Sequence, residues 1–140
     1  MKKYIWLLLI FGFLTISKSV SPPRYGGKII ILNISSLNLY IEFDIIEPNW
    51  ISEKRLLLIE KDEQVIIDHV VYDWEEEKGN YFGDPNNNIK NITFYDLDNG
   101  KLISELNSID IIFRKIYGSV QENDALFLFI IYDNILGDIL

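Results

Sequence analysis

The sequence predicts a mainly β domain, folded as a two-layer β-sandwich of Greek-key or immunoglobulin-like style, with one short helix near residues 108–117. The main observation is a period of two in apolar and polar residues, which recurs in several short segments. Turn-forming residues separate these segments, and no repeat of fixed period is visible, which excludes solenoids and propellers. An α+β fold, with the helix packed on one face of a sheet, is the alternative.

The first half of the chain is expected to form two hairpins. Residues 37–45 are the clearest strand, because five apolar side chains alternate with polar ones: Leu37, Leu39, Ile41, Phe43 and Ile45. A turn should join this strand to the isoleucine-rich residues 28–32. The second hairpin should pair residues 55–60 with residues 64–72, whose β-branched content favours a strand.

A third hairpin is expected between residues 89–96 and 100–106. The dipeptide Asn99-Gly100 separates two alternating apolar segments. Asparagine and glycine tolerate the positive φ angles that both central residues of a type I′ turn require. This hairpin is therefore predicted with a two-residue turn.

From residue 108 the spacing of apolar residues changes from the period of two typical of strands to that of a helix. Ser108 is a cap and Gly118 a stop, and the apolar residues between them follow a helical spacing: Ile109, Ile112, Phe113 and Ile116. Residues 126–132, which read LFLFIIY, carry no charge and have strong β-propensity. We expect this last segment to be an interior strand that is buried on both faces, with the helical stripe packed over it.

The first residues predict export. Residues 1–19 resemble a signal peptide, with Lys2 and Lys3 before an apolar run that is shorter than the roughly 20 residues a membrane helix needs. An uncleaved anchor is the alternative. Residues 20–27 are then a proline- and glycine-rich linker, and residues 28–140 a single β-rich domain. The chain has no cysteine, so its stability must come from packing rather than disulfides.

Charge excludes one large class of partner. The formal net charge is −8 at pH 7, which repels DNA, RNA and anionic lipid headgroups. We therefore expect no nucleic-acid binding, and membrane contact only through an uncleaved signal peptide. The expected location is the periplasm, the cell surface or the extracellular space.

The loop around residue 84 has only part of a calcium-binding pattern. Asp84, Asn86 and Asn88 occupy ligand positions 1, 3 and 5 of such a loop. Position 6 should be glycine but is Ile89, and position 12 should be glutamate but is Tyr95. We interpret the segment as a turn and expect neither a metal nor a cofactor.

The sequence gives little support for an enzyme. His69 is the only histidine, and it lies on the apolar face of a predicted strand. No G-x-S-x-G elbow accompanies it. Asp96 and Asp98 stand two residues apart beside the predicted turn, which explains them without catalysis. The protein is therefore predicted to be non-enzymatic.

The remaining candidate site is aromatic. Flat rings beside amide and carboxylate groups are typical of protein- and sugar-binding surfaces, and the candidates are Trp50, Tyr72, Asp73, Trp74, Tyr81, Asp84 and Asn86. The main hypothesis is a protein-interaction or structural module of the bacterial cell envelope, acting through a strand edge or the loop 73–88. A carbohydrate-binding module that uses the loop aromatics is the alternative. The tryptophans could instead close the ends of the sandwich.

Overall fold

The computed structural model describes residues 24–46, 52–72 and 83–137. Within these residues eight strands form: β1 (Arg24–Asn33), β2 (Leu39–Ile46), β3 (Ser52–Ile59), β4 (Gln64–Tyr72), β5 (Ile89–Asp96), β6 (Leu102–Asn107), β7 (Arg114–Tyr117) and β8 (Ala125–Ile131). A short helix, α1 (Pro85–Asn88), precedes β5, and a 3₁₀ helix (Asp133–Leu136) follows β8. Strand accounts for 60% of the structure, which confirms the mainly β class.

The strands form two four-stranded sheets, consistent with the predicted two-layer sandwich. Sheet A has the order β4-β1-β8-β7, and sheet B has the order β3-β2-β5-β6. The pairing of β1 with β8 is parallel, and every other pairing between the described strands is antiparallel.

The prediction of two hairpins in the first half of the chain is wrong. β1 pairs with β4 and β8, whereas β2 pairs with β3 and β5. The links before β2 and after β3 therefore cross between the sheets. Asn33 holds both links together, because its Nδ2 donates to the carbonyl oxygens of Leu37 (2.8 Å) and Glu60 (3.0 Å). Alternation shows which side chains face inward, but it does not show which strands are neighbours.

The third hairpin is confirmed, since β5 pairs with β6, but its turn differs from the prediction. Gly100 has a positive φ of 71° and Asn99 does not, so the turn is not type I′. Asp96 instead caps a longer loop: its Oδ1 accepts from Asp98 N (2.9 Å) and its Oδ2 from Asn99 Nδ2 (3.0 Å). An aspartate side chain that bonds the following residues stabilises this alternative turn.

The helix predicted near residues 108–117 is absent. A turn covers residues 108–110, and residues 114–117 form β7, which pairs with β8. Of the predicted apolar stripe only Phe113 is buried, and its ring packs on Phe129 with centroids 5.0 Å apart. The segment is rich in isoleucine, and pairing with a neighbouring strand outweighs its weak helical pattern. In the described chain the only α-helix is α1, which also removes the support for the α+β alternative.

β8 is an interior strand, as predicted, because β1 and β7 flank it. Its inward side chains are Ala125, Phe127, Phe129 and Ile131, all buried. The outward side chains between them are only half-buried, so the prediction of complete burial on both faces is wrong. The inward residues join the core between the sheets, which also contains Ile29, Ile31, Leu39, Ile41, Phe43, Ile92 and Phe94.

β1 begins at Arg24, so residues 24–27 belong to a strand rather than to the predicted linker. Gly26 and Gly27 permit this close packing. A Cβ atom at Gly26 would collide with the carbonyl oxygen of His69, and one at Gly27 with that of Ala125. Glycines that signal a flexible segment in sequence can equally allow neighbouring backbones to approach.

Candidate functional site

The structure describes only some of the residues of the predicted aromatic site. Trp50, Asp73, Trp74 and Tyr81 lie outside the described residues, and Tyr72 is described only as the last backbone position of β4. The prediction that these residues bind a protein or a sugar therefore stays a prediction. Asp84 and Asn86 are the two candidates whose side chains can be placed.

Asp84 and Asn86 hold α1 against the segment that precedes β7. Asp84 caps α1, and its Oδ1 accepts from Asn86 N (2.9 Å) and Asn86 Nδ2 (3.1 Å). Asn86 also bonds both backbone groups of Phe113: its Oδ1 accepts from the N–H (2.8 Å), and its Nδ2 donates to the carbonyl oxygen (2.9 Å). These polar atoms are therefore engaged within the protein.

His69 lies inside the core of the sandwich. Its side chain is 1% exposed, and its Nε2 has no hydrogen-bond partner. The pKa of the imidazole is lowered to about 4, first by burial and then by the positive charge of Arg55, while a hydrogen bond with the side chain of Asn88 partly opposes both effects. His69 is thus neutral at pH 7 and shielded from solvent.

A segment rich in exposed apolar side chains, here called the isoleucine edge, comprises β7 and the residues before it. Its large side chains are widely exposed: Ile109 (90%), Ile112 (74%), Ile116 (51%) and Tyr117 (61%). Arg114 and Lys115 lie between them, and neither forms an ion pair with a described residue. Sequence reasoning missed this surface because the same isoleucines fit a buried helical stripe. Their β-branched character was the signal for a strand.

A second segment with exposed apolar side chains is β3. Its side away from β2 is here called the leucine edge. Leu56 (59% exposed) and Leu58 (57% exposed) project from the outer face of sheet B. β3 pairs with β2 in one unbroken register, and among the described strands it has no other neighbour. Arg55 Nη1 donates to the carbonyl oxygen of Asp68 (3.0 Å), so β3 lies beside β4 of sheet A.

No protein-family model, curated protein or solved structure matches this chain. The two edges are therefore interpreted from their own geometry and charge.

Three other kinds of feature could mark a site in the described residues: metal-binding groups, membrane-spanning helices and clefts. They contain no group of three or more histidine, cysteine or carboxylate side chains that could hold a metal ion. In the same part of the chain, no helix is long and apolar enough to cross a membrane. A cleft of about 310 Å³ has a lining of mixed charge: Arg24, Gly27, Lys28, Asp68, Val70 and Asn123.

Proposed function

We propose that the protein is an exported, non-enzymatic β-sandwich domain of the bacterial cell envelope, which binds another protein through the isoleucine edge. The observation that carries the proposal is the exposure of Ile109 (90%) and Ile112 (74%), the highest among the large apolar side chains described. Clustered apolar side chains rimmed by polar groups are typical of protein contact surfaces.

The charge of the isoleucine edge indicates the chemistry of the partner. Arg114 and Lys115 lie among the exposed isoleucines, with Asp110 as the only acid nearby in the sequence, although the whole chain has a net charge of −8. A partner surface that combines apolar side chains with carboxylates fits this local positive charge. Such a partner would be repelled by most of the remaining surface and directed to this edge.

The partner should contact side chains rather than extend sheet A. β7 has only four residues, and its register with β8 shifts between Lys115 and Tyr117. Short length, a bulge and a lysine are the features with which proteins protect an edge from strand addition. The exposed isoleucines remain available for contact.

Export rests on the amino-terminal sequence and has a direct test. Protein purified from the exporting cell should begin at Val20, with residues 1–19 removed. Intact-mass measurement gives the result. A mass that includes Met1 to Ser19 would assign the protein to the membrane-anchored class instead.

The partner is tested by photo-crosslinking in the exporting cell. A photoreactive residue at Ile112 should give a discrete adduct, whereas the same residue at Ile66 (56% exposed, on β4) should not. Charge reversal of Arg114 and Lys115 to Glu should reduce the adduct at least about fivefold, because it removes the attraction for carboxylates. Equal adducts at both positions, or an adduct insensitive to charge reversal, would refute the proposal.

A further inference from the structure

We propose that the leucine edge pairs with the same edge of a second copy of this chain, antiparallel and about a two-fold axis through Leu57. This contact would join two B sheets into one continuous sheet. It is separate from the partner site proposed above, because β3 lies beside β4, and β4 and β7 are at opposite ends of sheet A.

The backbone of β3 is suited to strand addition. β3 has eight residues, pairs with β2 without a bulge from Ser52 to Ile59, and contains neither proline nor glycine. Backbone groups on the side away from β2 have no partner strand among the described residues. A long, regular edge of this kind is a ready template for another strand.

The side chains of β3 are self-complementary when Leu57 lies opposite Leu57 of the second copy. Leu56 then lies opposite Leu58 of the second copy, and the symmetry repeats this pair on the other side of the axis. Both leucines are more than half exposed in the single chain and share the outer face of sheet B. Their pairing removes apolar surface from water at the centre of the contact.

The charges favour this register over its neighbours. Lys54 comes close to Glu60 of the second copy, which directly follows β3, and Glu53 approaches Lys61, so opposite charges meet at both ends of the contact. An axis at Leu56 would place Lys54 opposite Leu58. An axis at Leu58 would place Arg55 opposite Lys61, and like charges directly opposite are destabilising.

Lys54 is available for the contact. Its side chain is 65% exposed, and its Nζ lies at the long distances of 3.8 Å from Glu42 Oε2 and 3.9 Å from Asp44 Oδ1. Exposed ion pairs of this kind contribute little stability, so Lys54 can reorient at small cost.

The mass of the exported protein in solution is the first test. Sedimentation equilibrium at micromolar concentration should give twice the mass of the chain. Leu58→Lys should give a folded monomer, whereas Leu102→Lys, on the equally exposed Leu102 (61%) of β6, should remain a dimer. A parent protein that stays monomeric at about 100 μM would overturn the proposal.

Charge exchange tests the register. Lys54→Glu should weaken dimerisation about tenfold, because two pairs become repulsive. Glu60→Lys should weaken it similarly, and combining both changes should restore the parent affinity. A double variant that stays weak would overturn the register, because Lys54→Glu would then act only through Glu42 and Asp44 of its own chain.

Cysteine pairs provide a second readout, since the chain has no cysteine of its own. Co-expressed Leu56→Cys and Leu58→Cys chains should form a disulfide-linked heterodimer, because paired residues lie within disulfide reach. Each variant alone should not crosslink, since its two copies would lie about 8 Å apart along the diagonal. Leu102→Cys is the exposed control. Crosslinking of Leu56→Cys with itself would contradict the axis at Leu57, while the isoleucine-edge proposal would be unaffected.

Discussion

The leucine edge and the isoleucine edge both end a sheet and both expose apolar side chains, but they differ in backbone. β3 has eight residues in an unbroken ladder, whereas β7 has four residues and a shifted register. The first edge can accept another strand, and the second resists strand addition. Similar exposure of apolar side chains therefore indicates two different kinds of contact, one through backbone and one through side chains.

The difference has a local cause. Asn86 bonds both the N–H and the carbonyl oxygen of Phe113, the residue immediately before β7. Those groups are no longer available to extend the ladder, so β7 begins at Arg114. β3 has no such anchor in its described length and pairs along all its residues.

The largest expected effect is the loss of the sandwich that both edges border. Phe129→Asp places a carboxylate at a core position that is 3% exposed and in contact with Phe113. Burial of an unpaired charge should lower the free energy of unfolding by about 4 kcal/mol or more, out of a total of roughly 5 to 15. Urea unfolding of the exported protein measures this loss.

Leu128→Asp is the matched control, because the half-buried Leu128 faces outward from the same strand. Leu128→Asp should lower the free energy of unfolding clearly less than Phe129→Asp does. Normal export of Phe129→Asp, with a melting temperature within a few degrees of the parent, would show that the strand is not interior.

Acid should lower the free energy of unfolding through His69, which lies on β4. β4 is the strand of sheet A that lies beside the leucine edge. The pKa of His69 is about 4 in the folded protein and 6.5 ordinarily, so below pH 6.5 the unfolded chain binds a proton that the folded chain excludes. The stability from neutral His69 is complete above pH 6.5 and should fall by about 3 kcal/mol as the pH drops to 4.

Urea unfolding at several pH values of the parent and of His69→Gln measures this contribution. The two proteins share every other ionisable group, so the difference isolates the imidazole. Parallel curves would mean that His69 is protonated as easily in the folded as in the unfolded chain.

A smaller effect should be confined to the isoleucine edge. Asn86→Ala removes the partners of both Phe113 backbone groups, which should cost about 2 kcal/mol. Hydrogen exchange should accelerate at β7 and stay unchanged at β3. Asn87→Ala alters the exposed neighbour and should change stability by less than about 0.5 kcal/mol. Equal acceleration at both strands would disprove the role of Asn86 as a local anchor.

The smallest expected effect is that of calcium. Asp84, Asn86 and Asn88 use their Oδ1 atoms as acceptors of internal hydrogen bonds. Millimolar calcium should therefore leave the melting temperature unchanged, whereas a ligand at 100 times its Kd would add about 2.7 kcal/mol. An increase that disappears in Asp84→Ala would show that the segment binds calcium after all.

Sequence periodicity predicted the strands better than their arrangement. The alternation in β2 correctly identified its inward face, and the uncharged run of β8 correctly identified an interior strand, because burial acts on each strand separately. The links that carry the chain between the two sheets, before β2 and after β3, are tied together by Asn33, and no periodicity records such hydrogen bonds.

The candidate surfaces were harder to predict than the strands. The isoleucines of residues 109–116 fit a helical stripe and an exposed edge equally well, and only the pairing of β7 with β8 decides between them. In the sequence, β3 resembles any other strand. Its position at the edge of sheet B follows only from its pairing with a single neighbour, β2. Asp84 and Asn86 form internal hydrogen bonds that the sequence did not predict, and their role in binding stays a prediction.

The parallel pairing of β1 with β8 also affects the order in which the chain folds. Gly27 is opposite Ala125, so the centre of sheet A joins segments about 100 residues apart, and such distant contacts form slowly. Sheet B uses only strands between Leu39 and Asn107 and can assemble earlier. Until sheet A closes, the uncharged β8 remains uncovered and prone to aggregate. Folding is therefore expected to finish only after β8 has been synthesised, which makes the interval before closure the most vulnerable period for this protein.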